Sequence, residues 1–187
     1  RVPWTIHTNP ARTQSEPFMS EPKQLRRADG HTIAYLKSAG EGPGVVWLSG
    51  FKSDMMGTKA AALAAWARRT NRCFLRFDYF GHGQSSGDFR DGTVTRWLDD
   101  ALAVIDEETN GPQVLVGSSM GGWVATLAAL RRPVRVAGLM LIAPAADFTE
   151  DLVWKNMPEA VRREVIERGV WYRPSAYDPD PYPITRA

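Results

Sequence analysis

The 187 residues contain a single cysteine, Cys73, which has no partner within the chain. That excludes a small disulfide-stapled scaffold, and a lone thiol suits a reducing compartment. No apolar run approaches the roughly 18 residues of a spanning helix, which argues against an integral helical membrane protein. An excess of charge of one sign is also missing. Lys and Arg number 23 against 21 Asp and Glu, a net +2, and no basic face of the kind nucleic acid requires stands out. Histidine is scarce, at His7, His31 and His82 only. What is present, 43% apolar and 10% aromatic residues, is the composition of a globular domain. It is not that of a disordered, collagen-like or coiled-coil chain.

Residues 1–22 are polar, carry Pro3, Pro10, Pro17 and Pro22, and show neither helical nor strand period, so they read as an N-terminal tail. They contain no apolar core of a secretory signal. Met19 is a candidate start. A mitochondrial leader is disfavoured by the few arginines, Arg1 and Arg12, and by Glu16. From Lys23 strands and helices alternate. Lys23–Ala28 and Thr32–Leu36 flank Asp29-Gly30, a hairpin signal. Gly44–Gly50, Cys73–Asp78, Gln113–Gly117 and Val136–Ile142 are short apolar runs that fit buried strands. Cys73 is expected in the core. Thr58–Arg69 reads as a helix with Leu63, Trp66 and Ala67 inward. Thr93–Glu108 is a clear amphipathic helix with Thr93 as N-cap and Asn110-Gly111-Pro112 as stop. Met120–Leu130 is a third helix and Glu159–Arg168 a fourth. Strands separated by helices of this length predict an α/β fold, a mostly parallel sheet with helices on both faces.

The strongest motif is Gly117-Ser118-Ser119-Met120-Gly121. It fits G-x-S-x-G, the turn that carries a nucleophilic serine between a strand and a helix, and both flanking elements are predicted. Such a turn lifts the Ser119 hydroxyl above the sheet. It also sets the Met120 N–H at a helix N-terminus, where it can donate to an oxyanion. A second donor is needed from an earlier strand-end loop. Leu48-Ser49-Gly50-Phe51 supplies one, with Phe51 N–H as the candidate. Asp78-Tyr79-Phe80-Gly81-His82-Gly83-Gln84-Ser85 is a further Gly-rich loop. Its spacing is not that of a dinucleotide fingerprint, and no phosphate-loop lysine follows. His82 within it reads as structural rather than as a base. His31 beside the hairpin and His7 in the tail are weaker candidates still.

Three runs, Trp47–Lys59, Phe77–Gly87 and Val116–Trp123, carry a resemblance to the α/β-hydrolase superfamily over about Lys23–Ala187. More narrowly they resemble bacterial relatives of a mitochondrial acyl-glucuronide esterase and palmitoyl-protein thioesterase. The resemblance implies hydrolysis of acyl esters or thioesters, with no metal or organic cofactor, on a small-molecule substrate. It also implies the triad order serine, acid, histidine. Here the pattern is departed from: the sequence has no histidine after Ser119. Asp147 is a possible acid, though a solvated residue is the plainer reading. Asp151 is also present, and Asp178 and Asp180 read as surface turns.

The expectation is therefore a core over 23–146, a truncated cap over 147–187, and a triad acid and histidine beyond residue 187. About 60–80 residues would be missing, at roughly 30 or more per strand–helix unit. A chain stopping here would leave Val136–Ile142 as an uncovered apolar edge. Trp154 and Trp171, with Tyr172 and Tyr177, are candidates to line an acyl pocket. The alternative is a non-catalytic binding protein on the same fold. A dehalogenase or epoxide hydrolase is disfavoured, since the resemblance would then call for aspartate where Ser119 stands. The expected compartment is the bacterial cytoplasm, or the mitochondrial matrix in a eukaryote. Oligomeric state is left open.

Overall fold

A computed structural model describes residues 21–174 and 181–185. His7, Met19, Tyr177, Asp178 and Asp180 lie outside them. The strands are β1 Lys23–Arg26, β2 Thr32–Ser38, β3 Glu41–Leu48, β4 Arg72–Phe77, β5 Gln113–Ser118 and β6 Val136–Ile142. The main helices are α1 Thr58–Arg69, α2 Val94–Glu108, α3 Met120–Arg131 and α4 Glu159–Arg168. The six strands form one sheet in the order β1-β2-β4-β3-β5-β6. β1, β2 and β4 pair antiparallel, whereas β4, β3, β5 and β6 run parallel. The antiparallel start follows from the tight Asp29-Gly30 hairpin. The parallel part follows from the helical crossovers that each later strand needs.

Helices cover both faces. On one, α1 packs Ala60, Ala64 and Ala67 against Val45, Trp47, Phe74 and Val116. The inward face is thus alanine, and Trp66, expected inside, is 37% exposed. Small side chains let the helix backbone come close enough to the sheet for Trp47 and Phe74 to fill the space between, and the indole is displaced outward. On the other face, α2 and α3 bury Trp97, Leu98, Ile105, Met120 and Val124 against Ile33, Val46, Phe77 and Leu115. Thr93 caps α2 as expected, its hydroxyl accepting from the Arg96 N–H at 3.1 Å. Cys73 is only half-buried, not a core residue. It is the second residue of β4, one before the buried Phe74.

The parallel strands all point their carboxyl ends to one edge of the sheet, which gathers four connections there. These are residues 49–57 after β3, 78–92 after β4, Ser119 after β5 and 143–148 after β6. Ligand sites in α/β sheets form at this end. Beyond β6 come a π-helical turn, Thr149–Trp154, then α4, then a hairpin of β7 Val170–Arg173 and β8 Tyr182–Thr185. The hairpin has no signal in its Pro- and Tyr-rich sequence. Thr185 bonds the Arg90 carbonyl at 3.2 Å, which brings β8 back onto the loop after β4. β6 is the outer strand of the described sheet. Leu139, Met140, Leu141 and Ile142 are 36–56% exposed, as the sequence led us to expect for this edge.

Candidate active site

Ser119 stands between the last residue of β5 and the first of α3, with φ 54° and ψ −121°. A side chain that takes a positive φ stores about 1–3 kcal/mol, a strain found mainly at functional positions. Two bonds hold the turn from outside. The Ser119 N–H donates to the Ile142 carbonyl at 3.0 Å, and the Ala145 N–H donates to the Ser119 carbonyl at 3.1 Å. The side chain is exposed and not engaged in packing. Met120 opens α3, so its N–H has no intrahelical acceptor. The helix also packs very close to β3. A Cβ added to Gly121 would come within 2.6 Å of the Leu48 carbonyl carbon, so only glycine fits there.

The loop after β3 lies against this turn. A Cβ added to Gly50 would be 3.5 Å from the Ser119 Cβ and 3.4 Å from the Ser118 carbonyl oxygen. Phe51, next along, donates its N–H to no acceptor among the described residues. The structure therefore gathers the three residues singled out by motif, Ser119, Met120 and Phe51. The Phe51 side chain has a separate place, edge-on to Phe89, Trp97, Phe148 and Tyr182 at 5.0–6.0 Å.

Two side chains outside the catalytic set that the motifs pointed to fasten this loop. Asp78, at the end of β4, accepts from the Met55 N–H at 2.6 Å and the Gln84 N–H at 2.9 Å. His82 accepts at Nε2 from the Lys52 N–H at 3.2 Å and meets the Phe80 carbonyl with Nδ1 at 3.1 Å. Both are buried. The usable signal was the carboxylate opening the Asp-x-x-Gly-x-Gly-x-Ser loop, since a carboxylate at a sheet end needs N–H donors from neighbouring loops. His82 is thus structural, as read. His31 is elsewhere, bonded to Ser86 at 3.2 Å and edge-on to Phe80. Asp147 is exposed. Its carbonyl accepts from Glu150 and Asp151 at the start of the π-helical turn, and it bonds no histidine among the described residues.

Burial holds the His82 imidazole below its ordinary value of 6.5, opposed in part by its bond to Phe80. Of the rings packed on it, Tyr79, Phe89 and Trp97, only Tyr79 titrates, and burial pushes that phenol well up. The unfolded chain therefore takes a proton at His82 before the folded one does. Stability from this group is full above the unfolded value and is lost as pH falls toward the folded one. Asp78 and Asp100, both raised chiefly by burial, act in the opposite sense, because there the folded state binds the proton first. The urea midpoint is expected to drop from about pH 7 to pH 5 by an amount that His82→Gln removes, since glutamine does not titrate. An identical slope in the variant would show that His82 is not the group responsible.

A cavity of about 570 Å³ is reached by the Phe51 and Trp123 rings, while Ser119 and Met120 are not in its wall. Phe51, Phe89, Trp97, Trp123, Phe148, Trp154, Val165, Ile166 and Ile184 give it apolar walls, and among the described residues Glu150 is the one charged group in the lining. Trp154 is thus in the wall. Trp171 is not, because the β7–β8 hairpin presents Pro183, Ile184 and Thr185 to the cavity instead. Trp123 and Phe148, edge to face at 6.1 Å, were not anticipated.

Comparison with known proteins gives concordant matches. The model of the alpha/beta hydrolase family matches residues 44–186. The human mitochondrial palmitoyl-protein thioesterase ABHD10 is 40% identical over 153 residues, 82% of this chain and 50% of that protein. Rat monoglyceride lipase is 32% identical over 146 residues, 73% of this chain and 47% of that protein. Among solved structures, alpha/beta hydrolase domain-containing protein 10 from mouse superposes with a TM-score of 0.76 at 36% identity. The match covers 84% of this chain and 63% of that one. A crystal structure from Agrobacterium vitis S4 gives 0.84 at 40% identity, covering 89% of this chain and 69% of that one. The chain spans about half the length of the curated relatives it matches.

Proposed function

The chain belongs to the alpha/beta hydrolase family, and from that premise we propose that it is the larger part of the core of a serine hydrolase acting on acyl esters or thioesters. Ser119 attacks the acyl carbonyl. The Phe51 and Met120 N–H groups hold the negative oxygen that forms, and water then releases the acyl group from the serine. No metal or organic cofactor takes part. Residues 147–174 and 181–185 are the described part of a cap beside the site. The acid and the histidine base come from beyond residue 187 in this reading, as the order serine, acid, histidine implies; of the described histidines, His31 bonds Ser86 and His82 joins Phe80 to Lys52.

The observation that carries the reading is the elbow itself. An exposed serine is held at φ 54° on a strand-to-helix turn, beside a strand-end loop whose Phe51 N–H has no acceptor among the described residues. Relatives named as a thioesterase and a lipase support the reaction class. The apolar cavity with one carboxylate, Glu150, suits an uncharged acyl chain better than one ending in an acid. The human thioesterase is named as mitochondrial, which supports a mitochondrial site if the source is eukaryotic, with the matrix as our reading and the bacterial cytoplasm as the other site. Among the described residues no helix is long and apolar enough to cross a membrane.

The test is labelling by a fluorophosphonate, which captures an activated serine. The 187-residue chain is expected to label slowly. A version extended at its carboxyl end to restore the histidine should label at Ser119 roughly 10³-fold faster or more, the scale of losing a triad member. An extended protein that stays unlabelled would sink the reading in favour of a binding protein on the same fold. Fast labelling of the 187-residue chain would remove the need for an outside base.

A further inference from the structure

Resting on the reading of Phe51 as an oxyanion donor, we propose that His82 is a positioning residue for the reaction: its Nε2 fixes the turn that aims the Phe51 N–H. Gly50 to Ser53 form that turn, closed by the Ser53 N–H on the Gly50 carbonyl at 3.1 Å. In a trans peptide the C=O and N–H point opposite ways. The Gly50 carbonyl faces Ser53, so the Phe51 N–H faces out of the turn. Lys52 is the third residue and has φ 53°. That sign is what a type II turn demands at its third position, and glycine normally supplies it. A lysine there must be held.

His82 does the holding. The Phe80 carbonyl can only accept, so the imidazole proton sits on Nδ1 and Nε2 is left as the acceptor for the Lys52 N–H. Phe80 is itself pinned, its N–H on Asp100 at 2.8 Å and its carbonyl also taking the Trp97 indole N–H at 3.1 Å. Both partners are on α2. A continuous set of bonds thus runs from α2 through Phe80 and His82 to the turn, and the turn packs against the elbow, where a Cβ on Gly50 would be 3.5 Å from the Ser119 Cβ. His82 touches no reacting atom. It acts through Lys52.

In the protein extended at its carboxyl end to restore the histidine, the experiment compares wild type, His82→Gln, His82→Leu, and His82→Leu combined with Lys52→Gly. Two readouts are used: exchange of the Lys52 amide by NMR, and labelling of Ser119 by a fluorophosphonate, resolved into maximal rate and half-saturation. Removing an oxyanion donor outright costs about 10²–10³-fold, so misaiming one in His82→Leu is expected to lower the maximal rate by about 10-fold with half-saturation unchanged. The Lys52 amide should lose its protection at the same time. His82→Gln, which offers an acceptor oxygen, should keep most of both. Lys52→Gly should restore the rate in the leucine variant, because glycine takes the turn's positive φ without being held. A residue that merely fills space would not be rescued from Lys52.

Unchanged Lys52 exchange in His82→Leu overturns the proposal, and so does failure of Lys52→Gly to rescue the rate. Should His82→Leu not fold, the nitrogen spectrum of the wild-type imidazole decides. A proton on Nδ1 and a coupling between Nε2 and the Lys52 amide support the proposal, whereas a proton on Nε2 refutes it. A wild-type protein that does not label counts against the hydrolase reading alone, and the exchange and nitrogen data still judge the hold of His82 on the turn.

Discussion

Replacing Ser119 with alanine is expected to abolish fluorophosphonate labelling and, in a protein carrying the whole triad, to lower kcat by on the order of 10⁶-fold. Among the described residues the other hydroxyls nearby are not on the strand-to-helix turn: Ser53, whose Oγ would be 3.7 Å from a Cβ on Gly50, belongs to the loop after β3. Ser118 is buried within β5, and Ser49 turns its hydroxyl toward the Ser53 carbonyl at 3.4 Å. The loss should come without loss of fold, because Ser119 is exposed and its bonds to Ile142 and Ala145 are made by the backbone. Ser119→Gly separates the two effects further. Glycine accepts φ 54° without the strain that serine bears. The glycine variant should be as inactive as the alanine one yet more stable, by about 1 kcal/mol after the extra chain entropy of glycine is allowed for. Thermal melts and labelling on the same two variants make the check. A glycine variant less stable than the alanine one would mean that the turn is unstrained, and residual labelling of either would move the nucleophile elsewhere.

Gly121→Val is expected to be the most destabilising single change in the region, by about 4 kcal/mol or more. The reason is backbone against backbone. The new Cβ would lie within 2.6 Å of the Leu48 carbonyl carbon, inside contact with the Leu48 and Ser49 carbonyl oxygens, and no side chain can rotate to make room. The amino end of α3 would have to move off β3. That displacement opens the buried cluster of Leu48, Met120 and Val124 and carries the Met120 N–H away from the Phe51 loop. Stability and labelling should therefore fail together in this variant, unlike the Ser119 pair, where they part. A urea midpoint within error of wild type would show that the helix has slack the packing does not suggest. Gly138→Ala is the control, since a Cβ there meets nothing within 4 Å.

Much of the architecture was legible in the residues. The α1 span Thr58–Arg69 and the β6 span Val136–Ile142 came from period and punctuation alone, as did the Thr93 cap. These signals are local: a hairpin glycine, a capping hydroxyl, apolar residues at helical spacing. The serine turn was legible for the same reason, because a strand, two glycines and a helix are all within a few residues of Ser119. Of the α1 residues read as inward, Ala67 is buried and Leu63 packs partly against the core, but Trp66 is turned out and Ala60 and Ala64 complete the face. Hydrophobicity says what prefers burial, whereas the closeness of sheet and helix decides what fits.

The site beyond the serine was decided in three dimensions. His82 and Lys52 are 30 residues apart, and Asp78 and Met55 are 23 apart. No spacing rule connects such pairs. They meet because β3 and β4 are parallel neighbours that end at the same edge of the sheet. The cavity wall has the same origin: Phe51, Trp97, Trp154 and Ile184 come from four separate segments, and the β8 residues that displace Trp171 from it belong to a hairpin with no local signature. The sequence by itself determined which residue is poised on the turn and which fold holds it. Only the tertiary structure decided which buried groups aim the loop beside it, since buried polar groups take their partners from whatever the packing brings within bonding distance.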